Sequence, residues 1–245
     1  MKGFTATNGN QCYKQILNDR YVRNSQSCEG KIRLSPLTAK AIQSKETVGR
    51  ILTSTTRLFV AHGYHGTSIA AIANATGLTK GAIYAHFSSK EELLLTLIKK
   101  FEVEFLDQLI SEVQDVKGNA LDKLHHYFNF AAIFGEKNRE LGLLATIISA
   151  EFSGAGHDQF DSEFRRIYFK YARFLRRIVE EGKLQGLIDI DLDTHTAAYT
   201  IIAFHDGILL QWQRSRDVLE GPVFVKTFRQ LLFHGLGLKN GAQDA

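Results

Sequence analysis

The segment over residues 67–87 constrains the fold of this chain more than any other part of the sequence. Ile69 and Ile72 have the spacing of one face of a short helix. Gly77 follows, and glycine readily takes the positive φ that ends a helix in a tight corner. A second helix then begins after Thr79, whose hydroxyl is suited to cap it. This pattern predicts a helix-turn-helix, an arrangement that places its second helix in the major groove of DNA.

The second helix of this motif has a packed side and an outward side. Ile83 completes the core between the two helices, and Ala73 is small enough for them to cross closely. Lys80 is the candidate base contact, while Gly81 and Ala82 let the backbone approach the base edges. The other candidate DNA contacts are polar side chains suited to phosphate oxygens: Thr67, Ser68, Thr79, Tyr84, His86 and Lys90.

Together with its flanks, this motif resembles the TetR family of bacterial transcriptional regulators. The resemblance is close over about residues 44–100 and falls to general helical character beyond. It implies an all-α fold, with an N-terminal three-helix helix-turn-helix DNA-binding domain joined by a long helix to a C-terminal helical ligand-binding and dimerisation domain. The matching residues are Ile51-Leu52, Leu58-Phe59, Gly63-Tyr64, Thr67-Ser68, Ile72-Ala73, Gly77-Leu78, Thr79-Lys80-Gly81-Ala82-Ile83-Tyr84, His86-Phe87 and Lys90-Glu91-Glu92-Leu93.

Charge is unevenly distributed along the chain. Residues 1–45 hold 8 Lys and Arg against 2 Asp and Glu, whereas residues 101–245 hold 16 against 21. A basic front and an acidic rear fit a protein that meets phosphates at one end. We predict a basic, poorly ordered extension over residues 1–43, the helix-turn-helix DNA-binding domain over 44–92, and the helical ligand-binding and dimerisation domain over 93–240.

The predicted extension has no sustained helical period over residues 1–34. Its scattered basic side chains either follow DNA phosphates and the minor groove or belong to a solvated tail. Cys12 and Cys28 lack a second pair to complete a zinc site, which leaves redox sensing as their functional possibility. The first helix starts at Ser35-Pro36 or at Ser44.

The region after the motif reads as helix throughout. Ser89 and Glu92 form a capping box that begins a helix running to about Val116, and His86 packs against this helix if it does not contact DNA. Gly-rich and Asp-rich breaks separate the later segments. Further helices are predicted near residues 119–135, 139–152, 159–184, 193–215 and 222–235.

The last two predicted helices carry more apolar side chains than a single small domain readily buries. The TetR resemblance implies that they form a four-helix dimer interface, while packing in the core of one protomer is the alternative for any single residue. The candidate interface residues are Phe204, Ile208, Trp212, Phe224, Phe228 and Leu231.

The C-terminal region is rich in aromatic residues. The TetR resemblance implies that several of them lie on helices that border a ligand pocket, and therefore that the effector is a mostly apolar or aromatic small molecule. Aromatic stripes are also the usual filling of a core, so ordinary packing is the alternative for each residue. The candidate ligand-binding residues are Phe105, Tyr127, Phe164, Tyr168, Tyr171 and Phe204.

Two further groups of side chains in this region invite a functional interpretation. One is a basic run that either holds an anionic ligand, such as the phosphates of an acyl-CoA, or forms a solvated helix face. The other is a set of histidines whose spacing gives no compact metal site, so no metal and no cofactor are predicted. The basic run consists of Arg165, Arg166, Lys170, Arg173, Arg176 and Arg177. The histidines are His125, His126, His157, His195 and His205.

The sequence predicts a DNA-binding regulator and no enzyme, since it has no Gly-rich phosphate loop, nucleophile elbow or metal motif. The resemblance implies a homodimeric repressor on a near-palindromic operator, released when a ligand tilts the long helix and changes the separation of the two DNA-binding heads. The alternative is a DNA-associated protein whose C-terminal half recruits a protein partner. No apolar run approaches the ~20 residues that span a bilayer, and no signal peptide follows Met1-Lys2, so we expect a cytoplasmic protein without a membrane partner.

Overall fold

The computed structural model describes residues 36–153, 159–215 and 217–236. Every regular element in these ranges is a helix, which confirms the predicted all-α fold class. The predictions for residues 1–35, Cys12, Cys28 and His157 lie outside the described residues.

The chain forms two compact units that divide between Lys99 and Lys100. The first unit contains α1 (Pro36–His62), α2 (Ile69–Thr76), α3 (Lys80–Tyr84) and the greater part of α4 (Lys90–Phe101). The second unit continues with a π-helical segment (Glu102–Asp107), α5 (Gln108–Gln114), α6 (Ala120–Lys137), α7 (Arg139–Phe152), α8 (Gln159–Leu184), α9 (Thr194–Arg214) and α10 (Gly221–Leu236).

The later helices end within two residues of their predicted bounds. Local capping explains this agreement, because Asn119 accepts hydrogen bonds from the first turn of α6 and Asp193 accepts one from Thr196 at the start of α9. The first helix starts at Pro36, the earlier of the two predicted positions. The prediction of one continuous α-helix to about Val116 is wrong in the middle of that helix. There the π-helical segment Glu102–Asp107 separates α4 from α5.

The first unit packs around aliphatic and aromatic side chains from its three leading helices. Ile51 and Phe59 of α1, Ile72 of α2 and Ile83 of α3 are fully buried. Burying such a side chain stabilises the fold by roughly 1.5–3 kcal/mol. Gly63 has a φ of 71° and ends α1, so that the chain can turn back toward α2. One long helix and two short ones are thereby fixed around one small core.

The second unit is organised by the amphipathic helix α8. Phe164, Ile167, Tyr171, Leu175 and Ile178 recur every three or four residues and are all buried. This face packs against α9, α6 and α7. The basic run of the sequence lies on the more exposed sides of the same helix, so the buried and the charged residues of α8 have separate surroundings.

Candidate functional site

The turn between α2 and α3 has the local geometry that the sequence predicts. Gly77 has a φ of 66°, and the N–H of Leu78 donates to the carbonyl oxygen of Ala73 at 3.0 Å. The Ser68 hydroxyl accepts from the N–H of Ala71 at 3.1 Å and caps α2. The Thr79 hydroxyl accepts from the N–H of Ala82 at 3.1 Å and caps α3. Hydrogen bonds therefore fix the starts of both helices and the turn between them.

The outward side of α3 is open to solvent. Lys80 and Gly81 are exposed, Tyr84 is 51% exposed, and Ala82 and His86 are half-buried. A Cβ built on Gly81 would meet only the Thr79 hydroxyl oxygen within 4 Å, at 3.9 Å. No neighbouring atom in the described part of the chain requires a glycine at this position. The absence of a side chain leaves room for another molecule to approach the backbone of α3.

Lys90 and Thr67 have structural partners, although both are candidate phosphate contacts. The Lys90 ammonium donates to the carbonyl oxygens of Tyr64 and Thr67, each at 3.0 Å, and lies 4.1 Å from the centroid of the Tyr64 ring. Thr67 is 2% exposed, and its hydroxyl lies 2.8 Å from the carbonyl oxygen of Gly63. Both residues hold the loop between α1 and α2 in place, and Thr67 offers no exposed hydroxyl to a phosphate.

The start of α4 differs in one bond from the predicted capping box. The N–H of Glu92 donates to the Ser89 hydroxyl at 3.2 Å, as expected. The Glu92 carboxylate instead accepts from the N–H and the hydroxyl of Ser88, both at 2.6 Å. The predicted bond back to the Ser89 amide is therefore wrong by one residue. The Tyr64 hydroxyl adds a bond to Glu91 at 3.0 Å, and the pKa of Glu91 is lowered, chiefly by a backbone hydrogen bond.

Five of the six candidate ligand-binding residues lie in the interior of the second unit or at its edge. Phe105, Tyr127, Phe164 and Tyr171 are buried, and Tyr168 is half-buried. The hydroxyl oxygens of Tyr127 and Tyr171 lie 2.5 Å apart. Burial raises the pKa of both phenols above its usual value, so both are neutral at ordinary pH.

Asp206 of α9 is the polar centre of this aromatic region, and the sequence prediction missed it. Its carboxylate accepts from the Tyr168 hydroxyl at 3.1 Å and from the Thr146 hydroxyl at 3.3 Å. His205 stacks on Phe105 with ring centroids 5.3 Å apart, and its Nδ1 is buried without a hydrogen-bond partner among the described residues. A carboxylate in the mostly apolar stretch over residues 201–210 was the available sequence signal.

The candidate interface residues divide between the surface and the core. Phe204 is 50% and Leu231 is 70% exposed, while Ile208, Trp212 and Phe224 are half-buried. The structure therefore places Phe204 outside the buried aromatic region, in spite of its prediction as a ligand contact. Phe228 is buried within the chain, and its ring lies 5.3 Å from that of Phe128. This burial favours the core alternative for Phe228.

The basic run of α8 is mostly engaged with carboxylates. Glu102 of the π-helical segment is 1% exposed and receives two hydrogen bonds from the Arg166 guanidinium, at 2.7 and 2.8 Å. This pairing raises the pKa of Arg166. Lys170 also bonds Glu102, at 3.1 Å, and Asp107. Arg165 and Arg176 pair with carboxylates one turn away on α8.

In the part of the chain that the structure describes, no group of three or more His, Cys, Asp and Glu side chains is arranged to hold a metal ion. No helix in the same ranges is long and apolar enough to cross a membrane.

The first unit thus has the geometry of a helix-turn-helix DNA-binding protein, and comparison with known proteins identifies its family. The sequence profile described as "Bacterial regulatory proteins, tetR family" matches residues 51–97. The crystal structure of the MbdR regulator from Azoarcus sp. CIB is 30% identical, with a TM-score of 0.72, over 78% of this chain and 98% of that one. The chain belongs to the TetR family, whose members are transcriptional regulators and not enzymes.

Two other similar proteins are a named repressor and a protein that was solved together with a ligand and operator DNA. The HTH-type transcriptional repressor DhaR from Mycobacterium sp. (strain GP1) is 28% identical over 167 residues, which is 67% of this chain and 82% of DhaR. The structure of AibR in complex with isovaleryl coenzyme A and operator DNA is 24% identical, with a TM-score of 0.63, over 76% of this chain and 98% of AibR. The likeness to AibR concerns the fold alone.

Proposed function

We propose that this regulator is a homodimeric repressor that binds a near-palindromic operator and leaves it when a mostly apolar or aromatic small molecule binds the second unit. In this proposal α3 of each protomer enters the major groove, and the two copies of α3 lie about 34–36 Å apart along the duplex. The observation that carries the proposal is the solvent-exposed outward side of α3, where a Cβ on Gly81 would have almost no neighbour. The Thr79 hydroxyl holds the start of this helix by its hydrogen bond with the N–H of Ala82.

The exposure of each side chain on α3 suggests whether it contacts bases or phosphates. Lys80 has an exposed ammonium suited to the O6 and N7 acceptors of guanine. Gly81 and Ala82 allow the backbone to approach the base edges, while Tyr84 and Thr79 are positioned for phosphate oxygens. Lys90 has a smaller part than the sequence predicts, because two of its three N–H donors are engaged by carbonyl oxygens.

Dimerisation through α9 and α10 is supported by their exposed apolar surface. Phe204, Val223 and Leu231 are each at least half exposed in the single chain. Exposed apolar side chains grouped on two adjacent helices are typical of an interface with another protein surface. A second copy of the same two helices would cover them as a four-helix bundle.

The aromatic region around Asp206 is the proposed contact for the effector's apolar or aromatic part. Phe105 and Tyr171 provide ring surfaces, and the carboxylate and the buried His205 nitrogen provide polar groups that can orient a ligand. AibR was solved with isovaleryl coenzyme A, which makes short acyl-CoA esters reasonable first compounds to test. Recruitment of a protein partner by the second unit is the alternative.

Binding to the DNA upstream of the protein's own gene tests the proposal. Fluorescence anisotropy at 50 and 200 mM salt would compare wild type with Lys80→Ala plus Tyr84→Ala. We expect tight, salt-sensitive binding by wild type and a loss of at least tenfold in the double variant, since each good base contact is worth about 1–3 kcal/mol.

The matched control is Lys117→Ala plus Phe169→Ala, which removes an exposed lysine and an exposed aromatic ring from the second unit. This variant is expected to bind operator as wild type does. Equal and weak binding of all three proteins to any DNA sequence would contradict the proposal. Operator binding that no small molecule weakens would favour the alternative of a protein partner.

A further inference from the structure

A cleft of about 370 Å³ lies within the second unit and is lined by residues of α5, α6 and α8. Its lining includes the apolar side chains of Val113, Phe174 and Ile178, which are themselves buried. Four cations also line it, namely Lys123, Lys170, Arg173 and Arg177, against the single carboxylate of Glu181. We call this site the cationic cleft.

The four cations differ in their partners. Lys123 bonds Glu181, with both carboxylate oxygens at 2.7 Å. Lys170 bonds Glu102 and Asp107. Within the described residues, Arg173 and Arg177 have neither a hydrogen bond nor an ion pair. These two guanidinium groups differ from the other arginines of the basic run, which are all paired.

The spacing of the two unpaired guanidinium groups suits a phosphate. Residues four apart on a helix are neighbours, with Cβ atoms about 5–6 Å apart. Arg173 and Arg177 can therefore converge on one phosphate or on a diphosphate, each with paired N–H donors that match phosphate oxygens. Phe174 and Ile178 lie beside them and provide an apolar surface for an uncharged part of the same ligand.

We propose that the cationic cleft binds the phosphate groups of a small molecule that also carries an apolar part, and that this molecule is the effector. The binding of phosphate groups in the cleft is independent of the proposed function, whereas the role of the bound molecule as effector rests on it. The ligand class follows from the lining: anionic groups with several oxygens for the arginines, and next to them an apolar segment against Phe174 and Ile178. This segment is distinct from the part of the effector that is proposed above to contact the aromatic region around Asp206.

Lys170 gives the cleft a connection to the helix that continues from the first unit. Its ammonium lines the cleft and also bonds two carboxylates of the π-helical segment, which follows α4 directly in the chain. A phosphate in the cleft competes with Asp107 for this ammonium. Ligand binding then weakens the contact between α8 and the π-helical segment, and by reciprocity that contact weakens ligand binding.

Calorimetric titration of the full-length protein with coenzyme A tests the site, with pantetheine as the matched probe that lacks phosphates. The cleft variant is Arg173→Gln plus Arg177→Gln. The control variant, Arg165→Gln plus Arg176→Gln, removes the same charge from the same helix outside the cleft lining. Circular dichroism confirms that each variant is folded.

We expect coenzyme A to bind wild type and the control variant within twofold of each other, and the cleft variant at least tenfold more weakly, because two charge-assisted contacts are lost. Pantetheine should bind all three at least tenfold more weakly than coenzyme A binds wild type. The site is overturned if wild type binds neither coenzyme A nor inorganic diphosphate, or if the cleft variant binds coenzyme A as well as the control variant does.

A second pair of variants tests the part played by Lys170. Asp107→Asn removes a competitor for its ammonium and should tighten coenzyme A binding about three- to tenfold. Asp115→Asn removes an equal charge just after α5 and should leave the affinity within twofold. Equal effects of Asp107→Asn and Asp115→Asn on the affinity for coenzyme A would show that Asp107 and the phosphate do not compete for the Lys170 ammonium. If coenzyme A binds the cleft without weakening operator binding, the site stands and its role as the effector site fails.

Discussion

Replacement of Gly81 by alanine separates the stability of the helix-turn-helix from its contact with DNA. Gly81 is the second residue of α3 and has a helical backbone. The Cβ of alanine would have one neighbour within 4 Å, the Thr79 hydroxyl oxygen at 3.9 Å. Alanine exceeds glycine in helix propensity by up to about 1 kcal/mol. Gly81→Ala should therefore leave the free energy of unfolding unchanged or raise it by up to ~1 kcal/mol.

The same methyl group should weaken operator binding. If the backbone of α3 lies against the base edges, the added carbon occupies space that the DNA needs. Overpacking of a close interface by one methyl costs roughly 1–3 kcal/mol, which corresponds to a loss of about 5- to 150-fold in Kd. Urea unfolding measures the stability, and fluorescence anisotropy with an operator fragment measures the Kd.

Gly49→Ala provides the matched control in the same unit. Gly49 lies on α1 and is exposed, and a Cβ built on it would meet no atom of the described residues within 4 Å. We expect a similar gain in stability with no change in operator affinity. Operator binding by Gly81→Ala within twofold of wild type would show that the start of α3 does not lie against the bases.

Three further changes test the internal structure. Gly77→Ala should lower the free energy of unfolding by about 1–2 kcal/mol, because its φ of 66° is strained for alanine; no loss in urea unfolding would contradict this. Glu102→Gln should destabilise by about 1.5–3 kcal/mol, since it removes the buried charge that binds Arg166, and a melting temperature equal to that of wild type would speak against it. Because burial raises the pKa of Tyr127 and Tyr171, the unfolded state ionises first, and stability should fall as the pH rises above about 10. A double change of these tyrosines to Phe should flatten that fall in unfolding experiments at pH 9 to 11.

Several features of the first unit were predictable because their causes are close in the chain. The caps at Ser68 and Thr79 act on amides three residues later. Gly77 ends its helix through its own backbone freedom. The burial of Ile72 and Ile83 follows from helical spacing. Each of these interactions is decided within one turn of helix.

Lys90 and Asp206 show where such local reasoning stops. The partners of Lys90 lie 23 and 26 residues earlier in the chain, and Asp206 accepts a bond from Thr146, 60 residues away. A lysine near a DNA-binding motif predicts a phosphate contact, yet Lys90 donates two hydrogen bonds to carbonyl oxygens of the loop between α1 and α2. Sequence spacing does not reveal which distant backbone groups will need a partner.

The all-α fold, the helix-turn-helix and the bounds of most helices can be predicted from the sequence, because helical period and capping depend on neighbours in the chain. Which charges of α8 are paired depends instead on how the helices pack. Arg166 and Lys170 meet the carboxylates of Glu102 and Asp107, while Arg173 and Arg177 line an open cleft. The sequence gives all of these residues as one basic run, and their different surroundings arise only when α5, α6 and the π-helical segment pack against the same helix.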